Sequence, residues 1–249
     1  MADKFPSNEK DGVMITRQAS VLDALRSATM QQHRTLERTP LMASMFDSDL
    51  NLDGYAAVVV TFARLFATLD PLLSAAAVRS QALPAGYRYE PRLPYLEQDL
   101  AALLQQTAGI SRWRPASSDE LFAGTADSSL VRCAQAQAFT TEQTLGLLYV
   151  IEGASQGGRI IAPRLTKQLK LKDNVGLSYF SHFAFEATDW AILRQGLTDW
   201  RAEPSAQDQH QQPRLDTPRT CAAACSMFEA LVRLSLQQQV CATHSMRYL

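Results

Sequence analysis

A histidine stands among leucines in the stretch "LRSATMQQHRTLE", residues 25–37. Leu22, Leu25, Thr29, His33 and Leu36 step by 3, 4, 4 and 3, which places them on one helix face. A lone histidine on such a face is commonly a hydrogen-bonded core residue. Glu37 follows at i+4, where its carboxylate can accept from the imidazole Nδ1–H and leave Nε2 free as a metal ligand. Arg26 precedes by two turns on the same side. Taken alone, Glu37 and Arg26 read as a solvated helix edge. A histidine with an orienting carboxylate and a nearby cation also suits a ligand that carries both a metal and anionic groups.

The second feature is "YVIEGASQGGRII", residues 149–161, with Gly153, Gly157 and Gly158 inside an otherwise helical run. Each glycine costs a helix interior about 1 kcal/mol relative to alanine. Gly146, Gly153 and Gly157 step by 7 and 4 and align on one face, with Gly158 beside them. One explanation is close packing of another helix through small residues. The other is a flat molecule lying on bare backbone. A phosphate loop does not fit, because no strand precedes the glycines and no lysine follows in place. A histidine face and a glycine-stripped face together suggest a flat metal macrocycle between two helices. That is a haem sandwich with His33 as axial ligand and an open iron position on the glycine side.

The elements that would position these residues are helical throughout. Ser20 is an N-cap with Asp23 at the capping-box offset, and Pro40 stops the first helix. A second helix begins near Asn51–Asp53, with Tyr55, Val58, Val59, Phe62, Leu65, Phe66, Leu69 and Leu73 at 3/4 spacing. "YLEQDLAALLQQTAG" reads as a third helix closed by Gly109, after a link punctuated by Pro84, Pro91 and Pro94. "ISRWRPASSDELFAGTADSS" reads as mostly loop. The fourth and longest helix runs from Thr140 or Thr141 to about Lys170, with Pro163 inside it. "EATDWAILRQGLTDW" is a fifth, and the last covers about 221–240. Residues 1–18 are expected to form a loose polar arm, 19–249 an all-α domain, and 201–220 a mobile, glutamine-rich surface loop. No alternating strand and no repeat is visible.

The 249 residues are 46% hydrophobic and 20% charged, enough apolar material for a sizeable core. A net charge of −1 gives no electrostatic case for nucleic acid or an anionic membrane surface. "YAAVVVTFARLFATL" is broken by charge and short for a bilayer span. The N-terminus lacks the apolar core of a signal peptide, so the expected location is the cytoplasm. Four cysteines are too few for a disulfide framework. Cys221, Cys225, Cys241 and His244 match no common zinc spacing and read as structural thiols and a bystander histidine.

The segments 25–37 and "LGLLYVIEGASQGGRII" (145–161) resemble the proximal and distal helices of haem oxygenases, especially the bacterial branch often paired with phytochromes. "LPYLEQDLAALL" and the pattern of Tyr179, Phe180, Trp190 and Leu193 are weaker echoes in the same order. The resemblance covers roughly residues 20–240. It implies a single-domain helical bundle with haem between the two helices. It also implies a monooxygenase for which haem is both substrate and prosthetic group. Products would be biliverdin, carbon monoxide and ferrous iron, formed with O2 and an external electron donor such as a ferredoxin or flavoprotein reductase. A phytochrome could receive the biliverdin.

By matching position His33 would be the proximal ligand, Glu37 its partner, and Arg26 a propionate contact. Gly153, Gly157 and Gly158 would form the close-approach surface. There are departures. Animal members carry an aspartate where this chain has Ala154; Ser155 or ordered water could substitute. Met30 stands where some relatives have a second basic residue. Arg194 is the nearest match to a propionate-binding residue of the fifth helix. The 201–220 insertion has no counterpart. The competing expectation is a haem-binding or haem-sensing protein with the same fold and no turnover.

Overall fold

Local signals place the helix starts. Ser20 accepts from the Asp23 amide while the Asp23 carboxylate takes the Ser20 N–H, closing a capping box ahead of α1 (Val21–Glu37). Thr140 and Gln143 do the same for α7 (Thr141–Leu169), which ends at Lys170 in the left-handed conformation. Asn51 caps α3 (Leu52–Arg79) through the Gly54 amide. The coordinates are a computed structural model that describes residues 19–80, 83–105, 113–171, 175–186, 189–203 and 215–245, with side chains through residue 238. The expected N-terminal arm, residues 1–18, lies outside the described residues.

Between these long helices lie α2 (Pro40–Ser44), α4 (Leu93–Leu104), α5 (Ser118–Phe122) and α6 (Leu130–Gln135). α8 (Ser178–Ser181) runs into a π-helical turn at His182–Glu186, followed by α9 (Asp189–Asp199) and α10 (Thr217–Ser245). Among the described residues there is no strand; the one isolated bridge pairs Ser20 with Arg201. The all-α expectation holds.

Several boundaries differ from the sequence reading, each for a local reason. Pro40 stops α1 and also begins α2 as its first residue, where the missing N–H is no loss. The stretch read as loop contains α5, started by a Ser117–Glu120 capping box, and is followed by α6. α4 has its C-cap at Gln105, and the expected closing Gly109 lies outside the described residues. α10 begins at Thr217, inside the segment read as loop, and continues to Ser245. α3 extends over 28 residues and is apolar enough in composition to cross a bilayer, but 67% of its most apolar 18-residue window is buried in the protein.

One apolar core joins these helices. α3 supplies its centre, with Tyr55, Leu65, Phe66, Leu69 and Leu73 buried. The Tyr55 hydroxyl donates to the Gly176 carbonyl at 2.7 Å. Asp99 of α4 accepts from the Ser178 and Tyr179 amides at 2.6 and 3.0 Å, fixing the start of α8. α10 packs against both α1 and α7. Its fit to α7 is tight at Gly146, where an added Cβ would lie 2.3 Å from the Thr220 carbonyl oxygen and 2.8 Å from Ala223 Cβ. Its fit to α1 brings Cys225 Sγ within 3.4 Å of the Ala28 carbonyl. Burial pushes the Cys221 thiol up to about 11, in keeping with a packed, unreactive thiol.

Gly146→Ala should therefore lower stability by about 1–3 kcal/mol, an overpacking penalty that thermal unfolding would detect as a drop of several degrees. A melting temperature at or above wild type would show that α10 does not press on α7 at this point.

Candidate functional site

α1 and α7 face each other across a cavity of about 580 Å³. That lies within the roughly 300–1,000 Å³ usual for small-molecule sites. Its lining is mostly apolar and comes from eight parts of the chain. α1 gives Arg26, His33, Leu36 and Glu37; α2 and its following turn give Met42, Met45 and Phe46. α7 gives Tyr149 to Ile151 and Gly153 to Gly158. α8 and the π-turn give Tyr179, Phe180, Phe183 and Ala184, and α10 gives Phe228 and Leu231. Trp190 comes from α9, and Phe62 and Arg92 complete the wall.

His33 is not buried among leucines. The face it shares with Leu22, Leu25 and Thr29 is packed at its N-terminal end and opens onto the cavity at its C-terminal end. The His33 side chain is 56% exposed there, and its ring meets Phe228 edge-on at 5.6 Å. Glu37 Oε1 lies 3.5 Å from His33 Nδ1, too long for a firm hydrogen bond, but on the side that leaves Nε2 for another partner.

The four glycines divide into two pairs. Gly146 and Gly158 are packing glycines: a Cβ at Gly158 would lie 2.9 Å from Ala184 Cβ and 3.0 Å from the Phe180 carbonyl. Gly153 and Gly157 are not pressed by neighbours. The nearest atoms to an added Cβ are 3.7 Å away, in Trp190 and in Ile161 respectively. Both glycines line the cavity. So the small-residue packing explanation accounts for one pair and the bare-wall explanation for the other. Gly158 borders the cavity, but the space its missing side chain leaves is filled by the π-turn.

The remaining expected site residues scatter. Arg26 and Glu37 line the cavity on the His33 side. Ser155 lines it on the α7 side, with its hydroxyl donated to the Glu152 carbonyl at 2.6 Å and its oxygen accepting from Gln156 at 3.2 Å. Ala154 faces the same space. Arg194 is not among the lining residues and is exposed on α9. Among the described residues no cluster of three or more His, Cys, Asp or Glu could hold a bare metal ion. The side chains of Cys241 and His244 lie outside the described residues.

The sequence reading passed over a buried polar network at the cavity wall. Arg92 is 2% exposed and Glu152 1% exposed, and Arg92 Nη2 lies 2.6 Å from Glu152 Oε2. The Tyr87 hydroxyl donates to Glu152 Oε1 at 2.6 Å. The Arg92 guanidinium sits over the rings of Phe183 at 4.5 Å and Tyr89 at 4.7 Å, and also donates to the Glu90 carbonyl. Asp70 of α3 holds the link by accepting from the Arg92 and Leu93 amides at 2.8 and 2.7 Å and from the Tyr89 hydroxyl at 2.6 Å. Burial works against the Arg92 charge, but the Glu152 carboxylate together with the neighbouring Tyr89, Tyr87 and Tyr179 outweighs it and holds the guanidinium protonated above the usual arginine range. Burial pushes the Glu152 carboxyl up, against the pull of Arg92. One signal was available: Glu152 is a lone charge within the apolar run "LGLLYVIEGA", which calls for a buried partner.

The site can hold a flat, largely apolar ligand with a metal at its centre. His33 offers a nitrogen on one wall, Gly153 and Gly157 leave the opposite wall free of side chains, and Arg26 supplies a cation on the His33 side. Because the two glycine pairs are bare for different reasons, they should respond oppositely to alanine. Gly157→Ala should keep or raise the melting temperature, gaining up to about 1 kcal/mol of helix propensity. Gly158→Ala should lower it. Equal effects in thermal unfolding would contradict the division.

Comparisons with known proteins bear on the family and the fold. The "Heme oxygenase" family model matches residues 19–213. A curated relative from Xanthomonas campestris pv. campestris (strain 8004), "Heme oxygenase", is 28% identical over 188 residues, covering 76% of this chain and 92% of its own. Among solved structures, heme oxygenase-1 from the cyanobacterium Synechocystis sp. PCC6803, in complex with heme, superposes with a TM-score of 0.60 at 16% identity, covering 92% of this chain and 98% of that one. Heme oxygenase from Leptospira interrogans gives 0.59 at 16% identity over 88% of this chain and 100% of that one. At these identities the structural matches speak for the fold, while the family-model match spans most of the chain, which therefore belongs to the haem oxygenase family.

Proposed function

We propose that the cavity between α1 and α7 binds haem and that the protein cleaves it oxidatively to biliverdin, carbon monoxide and ferrous iron. The observation that carries this reading is that a single cavity is lined on one side by His33 and on the other by the bare backbone at Gly153 and Gly157. A macrocycle fits walls of this kind: a nitrogen donor on one side, and on the other a surface that backbone can approach closely. Glu37, 3.5 Å from His33 Nδ1, lies on the side that leaves Nε2 for the ligand, and a shortened contact in the loaded protein would orient the ring. Arg26 is placed to meet an anionic propionate.

When bound, haem supplies the redox and oxygen chemistry, drawing on O2 and on electrons from an external donor such as a ferredoxin or a flavoprotein reductase. The chain contributes position and dryness. With no side chains at Gly153 and Gly157, a bound haem would meet backbone on that side, which would restrict how a small molecule tilts there. Phe180, Phe183 and Trp190 keep that space apolar. Of the expected residues, Ser155 offers a hydroxyl oxygen on the same wall, although its proton is directed to the Glu152 carbonyl. The resemblance of residues 25–37 and 145–161 to the bacterial, phytochrome-paired branch supports a phytochrome as recipient of the biliverdin, and the composition supports a cytoplasmic location.

A second reading, haem binding without turnover, draws on Ala154, which faces the cavity where an acidic side chain would stand in animal relatives. Haem-loaded protein given reductant and O2 separates the two: growth of the biliverdin absorption band favours turnover, and an unchanged spectrum favours a binder or sensor.

His33→Ala should abolish the normal haem spectrum and turnover; a variant forming biliverdin at the native rate would rule out His33 as ligand. Gly153→Leu should leave the fold intact, since an added Cβ there meets nothing closer than 3.7 Å, yet block haem or O2 from its place. Unchanged activity in that variant would remove the close-approach role of α7.

A further inference from the structure

Ser155 and Gln156 are the polar side chains that α7 itself brings to the wall around Gly153, and one charged group joins them from elsewhere. Arg92 reaches the cavity from the link before α4, a segment remote in sequence from either of the two helices that face each other. A cation at 2% exposure is costly unless something holds it there. Four contacts do. Glu152, the residue before Gly153, takes Nη2 at 2.6 Å; the Glu90 carbonyl takes Nη1; the rings of Phe183 and Tyr89 lie beneath the guanidinium. Tyr87 and Asp70 brace the arrangement by bonding the Glu152 carboxylate and the Arg92 amide.

A guanidinium carries five N–H donors. Glu152 and the Glu90 carbonyl take hydrogen bonds from two of its nitrogens, so donors remain for an acceptor in the cavity that Arg92 lines. The donor is fixed before any ligand arrives. A preorganised donor in a dry site is worth far more than the same group in water. Ala154 and Gly153 offer no polar side chain on this wall, and the Ser155 hydroxyl is already committed to the Glu152 carbonyl.

We propose that Arg92 is the hydrogen-bond donor of the haem site's open side, where it holds an anion, a dipolar small molecule or an ordered water next to Gly153, with Glu152 and Tyr87 as its positioning residues. This rests on the reading of the cavity as a haem site. It places the polar function that Ala154 lacks on a segment outside α7. It also gives Glu152 a purpose: the same carboxylate that sets Arg92 is joined through the backbone to the glycine that sets the wall.

The test uses the full-length haem-loaded protein and two probes. Fluoride, which binds ferric haem and accepts hydrogen bonds, is titrated by absorbance. Carbon monoxide on the ferrous form reports local positive charge through its stretching frequency. Arg92→Leu should weaken fluoride binding by about 10- to 100-fold, the effect of losing a charged hydrogen bond, and raise the carbon monoxide frequency. Arg92→Lys keeps the charge within reach of Glu152 but loses the fork, and should weaken fluoride less while leaving the frequency near wild type.

If Arg92→Leu does not fold, the lysine variant carries the test alone, and unaltered fluoride affinity in it overturns the proposal. A folded, haem-loaded Arg92→Leu protein with both probes unmoved also overturns it, and a lowered melting temperature would then mark Arg92 as purely structural. Loss of haem binding in both folded variants would likewise assign Arg92 to building the cavity. Failure of the wild-type protein to give a Soret band would instead remove the haem reading on which the proposal stands.

Discussion

The site depends on α10 holding α1 and α7 apart. A flat ligand needs two walls at a fixed separation, and neither wall can set that distance itself, because one of them is stripped of side chains. α10 lies against both. Gly146 lets its backbone come into contact with α7, and Cys225 packs against the Ala28 carbonyl of α1. Phe228 and Leu231 of the same helix then face the cavity. The glycine that reads as part of a bare face is the one that allows α10 to wedge in. The glycines that form the bare wall lie two to three turns further on.

Much of this was legible in the residues. The long helices follow from 3/4 spacing and from capping boxes at Ser20 and Thr140, because both signals are local. The pairing of His33 with the Gly153–Gly157 wall was legible because each feature is anomalous in its own helix: a polar ring on an apolar face, and missing side chains in a helix interior. What stayed hidden depends on contacts distant in sequence. Gly146, Gly153, Gly157 and Gly158 look alike as letters, and only their neighbours, Thr220, Trp190, Ile161 and Ala184, separate packing from exposure. Arg92 sits in a proline-rich link with no periodicity to mark its direction, and its partner Glu152 is far along the chain. The short helices α2, α5, α6 and α8 escaped because a few residues give no periodic pattern. Arg194 was placed by alignment of a pattern, and its helix turns it to the surface.

The energetic design is consistent with this division. Stability is concentrated in α3, α4, α7 and α10, where apolar burial is continuous and polar atoms such as Asp99 and Tyr55 are hydrogen-bonded. The chemistry-bearing part of the cavity wall takes residues that contribute little to that core, two unpressed glycines and a half-exposed histidine, while Met42 and Met45 belong to both core and cavity. The buried Arg92–Glu152 pair is the exception. Buried pairs are weak stabilisers compared with apolar packing, yet losing one partner costs about 3–5 kcal/mol. Retaining one at the edge of a cavity is easier to understand as fixing a geometry than as adding stability.

Haem seated between α1 and α7 with its iron on His33 would be seen directly in a crystal structure of the haem-loaded protein. His33 Nε2 should coordinate the iron, with the opposite face of the macrocycle against the backbone at Gly153 and Gly157 and no protein side chain ligating from that side. Iron coordinated by any other residue, or haem seated outside this cavity, would contradict it.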